Sequence, residues 1–279
     1  MLLGVRTHDF GKRSIEEHAR TISAKGFKAV QLAPPKAITG LDGGLGRLNP
    51  GMANYISDTL YKYGIRIAVL GCYINPVHPD RDERRRQLAL FKEYLCYARD
   101  FGCSVVGTET GSLNVDFSFH PDNHGEEAFN LLVGNMCELV EEAEKFGVRV
   151  AVEGVAKYVL NSPERIRRLI DRIGSNHLQV IFDPANLLTI DNYLDQDRII
   201  KESFELFGDR IVALHAKDFI VDAGELQSVQ AGKGSLHYEL IFRLLKQYKP
   251  LSYVLMEDTV PQEIDEGIRY LKGTFGDKL

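Results

Sequence analysis

Eight short runs of apolar and β-branched residues recur along the chain: LLGVRT, AVQLA, RIAVLGCY, SVVGTE, RVAVEG, LQVIFD, IVALHA and SYVLME. Their hydrophobicity is nearly continuous, not alternating. Strands buried on both faces require this, and a parallel sheet covered by helices provides that burial. The intervening segments read as helices. Ser14 followed by Glu17 is a capping-box pattern, with Gly26 as the stop. Phe129, Leu132, Val133, Met136 and Val140 trace one stripe at helical spacing. Ser162-Pro163 supplies an N-cap and first position, ahead of Ile166, Leu169, Ile170 and Ile173 on one face. Similar stripes run over 86–98, 198–206 and 238–245.

Strand then helix, repeated eight times, predicts βαβ units and a parallel sheet. A doubly wound sheet is the competing architecture. No Pro/Gly/Ser-rich linker divides the chain, so the pattern favours one domain over 1–279, closed as an α/β (β/α)8 barrel of TIM type. The longer loops, 34–50, 72–82, 108–125 and 219–235, all follow strands. In a barrel they gather on the face where sites are built.

The 279 residues suit one such barrel, and 44% hydrophobic against 26% charged residues is enough for a full core. No apolar run is long enough for a transmembrane helix. The opening MLLGVRTHDF turns charged at Arg6 and reads as a first strand, not a signal peptide. A net charge of −5 without a basic tail disfavours nucleic acid as a partner. The run Asp82-Glu83-Arg84-Arg85-Arg86 reads as the solvated first turns of a helix. Cys72, Cys96, Cys103 and Cys137 form no CxxC pair and suit free thiols in a reducing cytoplasm.

Four strand-end residues carry the chemistry: Glu153, Asp183, His215 and Glu257, spaced by 30, 32 and 42 residues, each gap about one βα unit. Strand parity turns all four inward together with Ala151, Ile181, Ala213 and Leu255, so they converge at the C-terminal mouth. Three carboxylates cannot gather there uncompensated. One divalent cation resolves the conflict. An oxygen-rich donor set with one histidine suits Mn²⁺ first, with Mg²⁺, Co²⁺ or Zn²⁺ as alternatives. A salt-bridge network around a protonated His215 is the competing reading.

At these residues the chain resembles the xylose isomerase-like TIM barrels, through VAVEG, VIFDPAN, LHAKD with a later GKG, VLMED, and the segment YINPVHPD. That superfamily contains sugar-phosphate isomerases and epimerases, ketose 3-epimerases, inosose dehydratases and endonuclease IV. The resemblance implies that Glu153, Asp183, His215 and Glu257 are the metal ligands and that Glu153 and Glu257 are also the acid/base pair. It implies a small polyhydroxylated substrate and chemistry through a metal-stabilised enediolate. Two glutamates on opposite faces of the substrate give epimerisation, whereas one residue serving both transfers gives aldose–ketose isomerisation. An inosose dehydratase-type lyase is the alternative, and an endonuclease IV-like enzyme a more remote one. Related barrels often form homo-oligomers, though nothing in the chain marks an interface.

The ketose 3-epimerases carry a glutamate, a histidine and an arginine where this chain has Val159, Asn186 and Val221, so its substrate contacts differ. Substrate-binding candidates at or near the mouth are His8, Asn75, His78, Glu109, Asn186 and Lys217, with Asp218 orienting a neighbour. Lys233, inside Gly232-Lys233-Gly234 ahead of a helix, is a candidate anion contact, although such stretches are commonly tight loops.

Overall fold

A computed structural model describes residues 2–276, and all eight apolar runs become strands in it. They are β1 (Leu2–Arg6), β2 (Ala29–Leu32), β3 (Arg66–Gly71), β4 (Val105–Glu109), β5 (Arg149–Glu153), β6 (Leu178–Phe182), β7 (Ile211–Asp222) and β9 (Tyr253–Met256). The pairing runs β6-β5-β4-β3-β2-β1-β9-β7, every neighbour parallel, and β6 pairs with β7 to close the ring. This is the (β/α)8 barrel that the sequence predicts.

The ninth strand, β8 (Glu225–Gln230), was not foreseen. Residues 219–235 read as loop, yet β7 continues past the barrel to Asp222 and turns back antiparallel as β8. Ala223 and Gly224, with φ of 48° and 83°, make the two-residue turn that matches strand twist in a tight hairpin.

Helices α1 (Ile15–Ala24), α2 (Pro34–Ala37), α3 (Pro50–Lys62), α4 (Arg81–Tyr97), α5 (Glu126–Phe146), α6 (Pro163–Ile173), α7 (Gln196–Phe207), α8 (Tyr238–Tyr248) and α9 (Ile264–Phe275) fill the connections. Ser14 and Glu17 form the reciprocal capping box of α1. Ser162 caps α6 by accepting from the Arg165 N–H, with Pro163 at its first position. The charged run from Asp82 to Arg86 forms the opening turns of α4, capped by Asp80. The α5 stripe from Phe129 to Val140 is buried against the barrel. None of the described helices is long and apolar enough to cross a membrane.

The barrel interior is packed by side chains lying over glycines. A Cβ on Gly107 would come within 2.6 Å of Ile181 Cδ1 and 2.8 Å of Val69 Cγ1; one on Gly4 would come within 2.7 Å of Leu255 Cδ2. Bulky residues from some strands fill space that glycine leaves on others, so the polar groups above them sit on a dry, rigid floor.

Candidate metal centre

Register sets the polar layer above that floor. Arg6 lies beside Gln31 and Glu109 beside Glu153 on neighbouring strands, all at the C-terminal ends. Glu153 ends β5, Asp183 directly follows β6, His215 lies within β7 and Glu257 directly follows β9. All four are buried, and each offers a ligand atom lying within 4.8 Å of the others'.

His215 Nδ1 stands 3.1 Å from Glu153 Oε1 and 2.7 Å from Glu257 Oε2. Its other nitrogen, Nε2, is 2.6 Å from Gln31 Oε1, and Gln31 in turn donates to the Tyr73 hydroxyl at 2.7 Å. An amide oxygen accepts only, so Gln31 fixes the proton on Nε2 and aims Nδ1 at the carboxylates. Asn186 Nδ2 donates to Glu153 Oε1 at 2.7 Å, and its backbone N–H donates to Asp183 Oδ1 at 3.2 Å.

The charges compensate across the cluster. Lys217 Nζ lies 3.1 Å from Asp183 Oδ2 and 3.3 Å from Glu257 Oε1. Arg6 spreads its guanidinium over Asp9, Glu257 and Asp258, each at 2.6 Å. Burial pushes the Glu257 carboxyl up, but His215, Lys217 and Arg6 outweigh it and hold it well below the usual carboxylate range. Burial lifts Asp183 to about 6 despite Lys217. Burial also opposes a charge on His215, yet Glu153 and Glu257 win and raise it well above 6.5.

These residues fit a divalent ion. Asp183 Oδ2 is buried, accepts no aligned hydrogen bond and has the Lys217 ammonium at 3.1 Å as its counter-charge, so it is a carboxylate oxygen free to turn to a dication. Three oxygen donors and one oriented imidazole are the donor set of a hard or borderline dication.

The model of one protein family, the xylose isomerase-like TIM barrel, matches residues 19–274. The chain belongs to that family. Among curated relatives, a D-psicose 3-epimerase of Enterocloster bolteae is 29% identical over 187 residues, 66% of this chain and 57% of that one. A probable L-ribulose-5-phosphate 3-epimerase of Mycoplasma pneumoniae is 25% identical over 170 residues, 61% and 51% of the two chains. The match thus spans just over half the length of each relative. Solved barrels of the same shape include D-psicose 3-epimerase with D-tagatose from Clostridium cellulolyticum H10 (TM-score 0.75, 14% identity, 99% of both chains). The IOLI protein with a zinc atom has a TM-score of 0.75 at 16% identity, covering 99% of this chain and 97% of that one.

Within this xylose isomerase-like barrel the other sequence candidates divide. Asn186 and Lys217 touch the cluster directly. Glu109 faces it from β4, its carboxyl pushed up to about 7 by burial and then by Glu153 and Glu257. His8 lies beyond β1, edge-on to Tyr73, its imidazole pushed down to about 3 by burial and by Arg6 and Lys36.

Three candidates are held elsewhere. The Asn75 amide is committed to its loops, donating to Ser112 O at 2.7 Å and accepting from the Ser112 and Val77 N–H groups. His78 Nδ1 accepts from the Asp80 N–H ahead of α4. The exposed ammonium of Lys233 pairs with Glu263 and Glu266, and the Gly232 N–H donates to Asp218, so the loop is a tight turn tied to a carboxylate. His18 on α1 is fully buried, with Nε2 at 2.9 Å from Ala37 O. Sequence reasoning missed Arg6, Gln31 and Asp258. A lone arginine and a lone glutamine in otherwise apolar strands were the available signals.

Proposed function

We propose that the chain is a divalent-metal-dependent isomerase or epimerase of a sugar or sugar phosphate, with Glu153 and Glu257 as its proton carriers. The observation that carries the reading is the buried Glu153–Asp183–His215–Glu257 cluster, and the epimerase relatives support its substrate class. These four residues would hold the ion, Mn²⁺ by preference, which supplies Lewis-acid polarisation of a substrate carbonyl and its neighbouring hydroxyl.

The remaining chemistry belongs to the side chains. Strands β5 and β9 are separated in the ring by β6 and β7, so Glu153 and Glu257 approach the shared centre from different sides. One carboxylate takes the carbon-bound proton, and the other returns a proton to the opposite face, which inverts the carbon. Arg6 and Lys217 hold Glu257 ionised, and Asn186 orients Glu153.

The test loads purified protein with Mn²⁺ and follows solvent deuterium into ketoses, ketose phosphates and inososes. Glu153→Gln and Glu257→Gln should each abolish exchange. Full exchange in either variant removes that residue from the mechanism, and a product lighter by one water identifies a dehydratase instead.

A further inference from the structure

The opposite end of the barrel carries a separate cavity of ≈ 550 Å³, at the first residues of β3, β4, β5 and β9. Its charged lining residues are Arg66, Arg149 and Lys249, and no aspartate or glutamate lines it. Among the described residues none of the three forms an ion pair, whereas Arg167 and Arg168 on α6 take Asp171 and Glu126. Like charges gathered in one concavity repel each other and focus a positive potential. They do so on a chain whose net charge is −5.

Strand parity brings Arg149 there. It lies four residues before Glu153 on β5, so both face the barrel interior, from opposite ends. Four residues of strand rise set them roughly 13 Å apart, with the packed layer of Val69, Gly107 and Ile181 between them. The floor of the metal centre thus separates the two sites. Arg66 rests its guanidinium 5.3 Å from the Tyr61 ring, and stacking on a ring leaves its in-plane N–H donors free. Lys249 stands in the turn ahead of β9, where its carbonyl accepts from the Ser252 N–H at 3.1 Å.

We propose that this basal cavity is a second binding site, for a polyphosphate, either inorganic or carried by a nucleoside. It does not depend on what the metal cluster does. Free guanidinium forks match phosphoryl oxygens two at a time, and the lysine adds a point charge. An apolar ligand would desolvate cations that have no counter-charge. Arg66 and Arg149 open strands with β4 between them, so their backbones stand two strand spacings apart, roughly 10 Å, or more. A single phosphate centres on one of them, whereas linked phosphoryl groups reach both.

The experiment is titration calorimetry of the full chain with pyrophosphate, ATP and orthophosphate, without added metal so that no Mn²⁺ captures the anion. Pyrophosphate should bind at least about tenfold tighter than orthophosphate, and less tightly as salt is raised. Arg149 is exposed and Lys249 half-buried, so Arg149→Gln and Lys249→Gln should fold, which thermal unfolding checks. Each should weaken pyrophosphate binding about fivefold or more. Lys157→Gln, beyond β5 at the far end of the barrel, should leave it unchanged. ATP binding at least as tight as pyrophosphate identifies a nucleoside polyphosphate, and weaker ATP binding an inorganic one. The proposal is overturned if neither pyrophosphate nor ATP binds, or if orthophosphate binds as tightly as pyrophosphate. It is equally overturned by affinity that survives both basal substitutions, or that is lost in Lys157→Gln instead.

Discussion

Lys217 Nζ sits 3.1 Å from Asp183 Oδ2, so an ammonium group stands against a carboxylate that the cluster offers to a metal. With Arg6 and a protonated His215, Lys217 balances Glu153, Asp183 and Glu257 when no ion is bound. A dication entering the cluster must displace the His215 proton and push this ammonium aside.

Lys217→Met should therefore tighten Mn²⁺ binding by at least about tenfold, ~1.4 kcal/mol, as read by titration calorimetry. The metal-free variant should also unfold at lower temperature, because Asp183 loses its counter-charge, a defect worth roughly 3 kcal/mol or more. Saturating Mn²⁺ should restore the loss. Unchanged or weaker Mn²⁺ affinity in Lys217→Met would show that the two cations do not compete.

Arg6 acts on Glu257 from across the β1–β9 pair, bridging it to Asp9 and Asp258. Asp258 has φ of 51°, a left-handed conformation for a residue other than glycine, and it also accepts from the Ser228 hydroxyl on β8. Arg6→Met leaves Asp9 and Glu257 without their shared partner. The expected cost is about 3–5 kcal/mol in stability. In the folded fraction, kcat should fall further than KM changes, because Glu257 is no longer held in place. Arg6→Lys keeps the charge but not the fork and should recover only part of both. An Arg6→Met protein as stable as wild type would refute the role.

Much of this was legible in the sequence because the two strongest constraints are local. Strands covered on both faces must be apolar throughout, so the eight runs stood out, and period-two parity then turned Glu153, Asp183, His215 and Glu257 inward together. The hairpin was missed because FIVDAGELQSVQ reads as polar surface, although alternation around Ala223-Gly224 was a usable signal. Arg6 pairs with a residue 251 positions away, and Gln31 with His215 184 positions away. Pairings of that kind come from ring closure, which no local pattern encodes. Lys233 shows a related limit: glycines flanking a lysine look alike whether an N–H faces a bound anion or, as for Gly232, the Asp218 carboxylate.

Glu109 gives the pH dependence its sign. Its carboxyl is raised from 4.5 to about 7, by burial first, then by Glu153 and Glu257, against the pull of Lys217 and Lys36. An acid whose folded value lies above its unfolded value destabilises the fold once it ionises. The penalty is absent well below pH 4.5, grows as pH rises toward 7, and is then constant at roughly 3 kcal/mol, from about 1.4 kcal/mol for each unit. Glu109→Gln removes it. In metal-free protein the variant should unfold with the wild type near pH 4.5 and at distinctly higher temperature at pH 8. Saturating Mn²⁺ should shrink the pH 8 difference, because added positive charge favours the ionised carboxylate. A gain of equal size at both pH values would trace the effect to side-chain shape and not to titration.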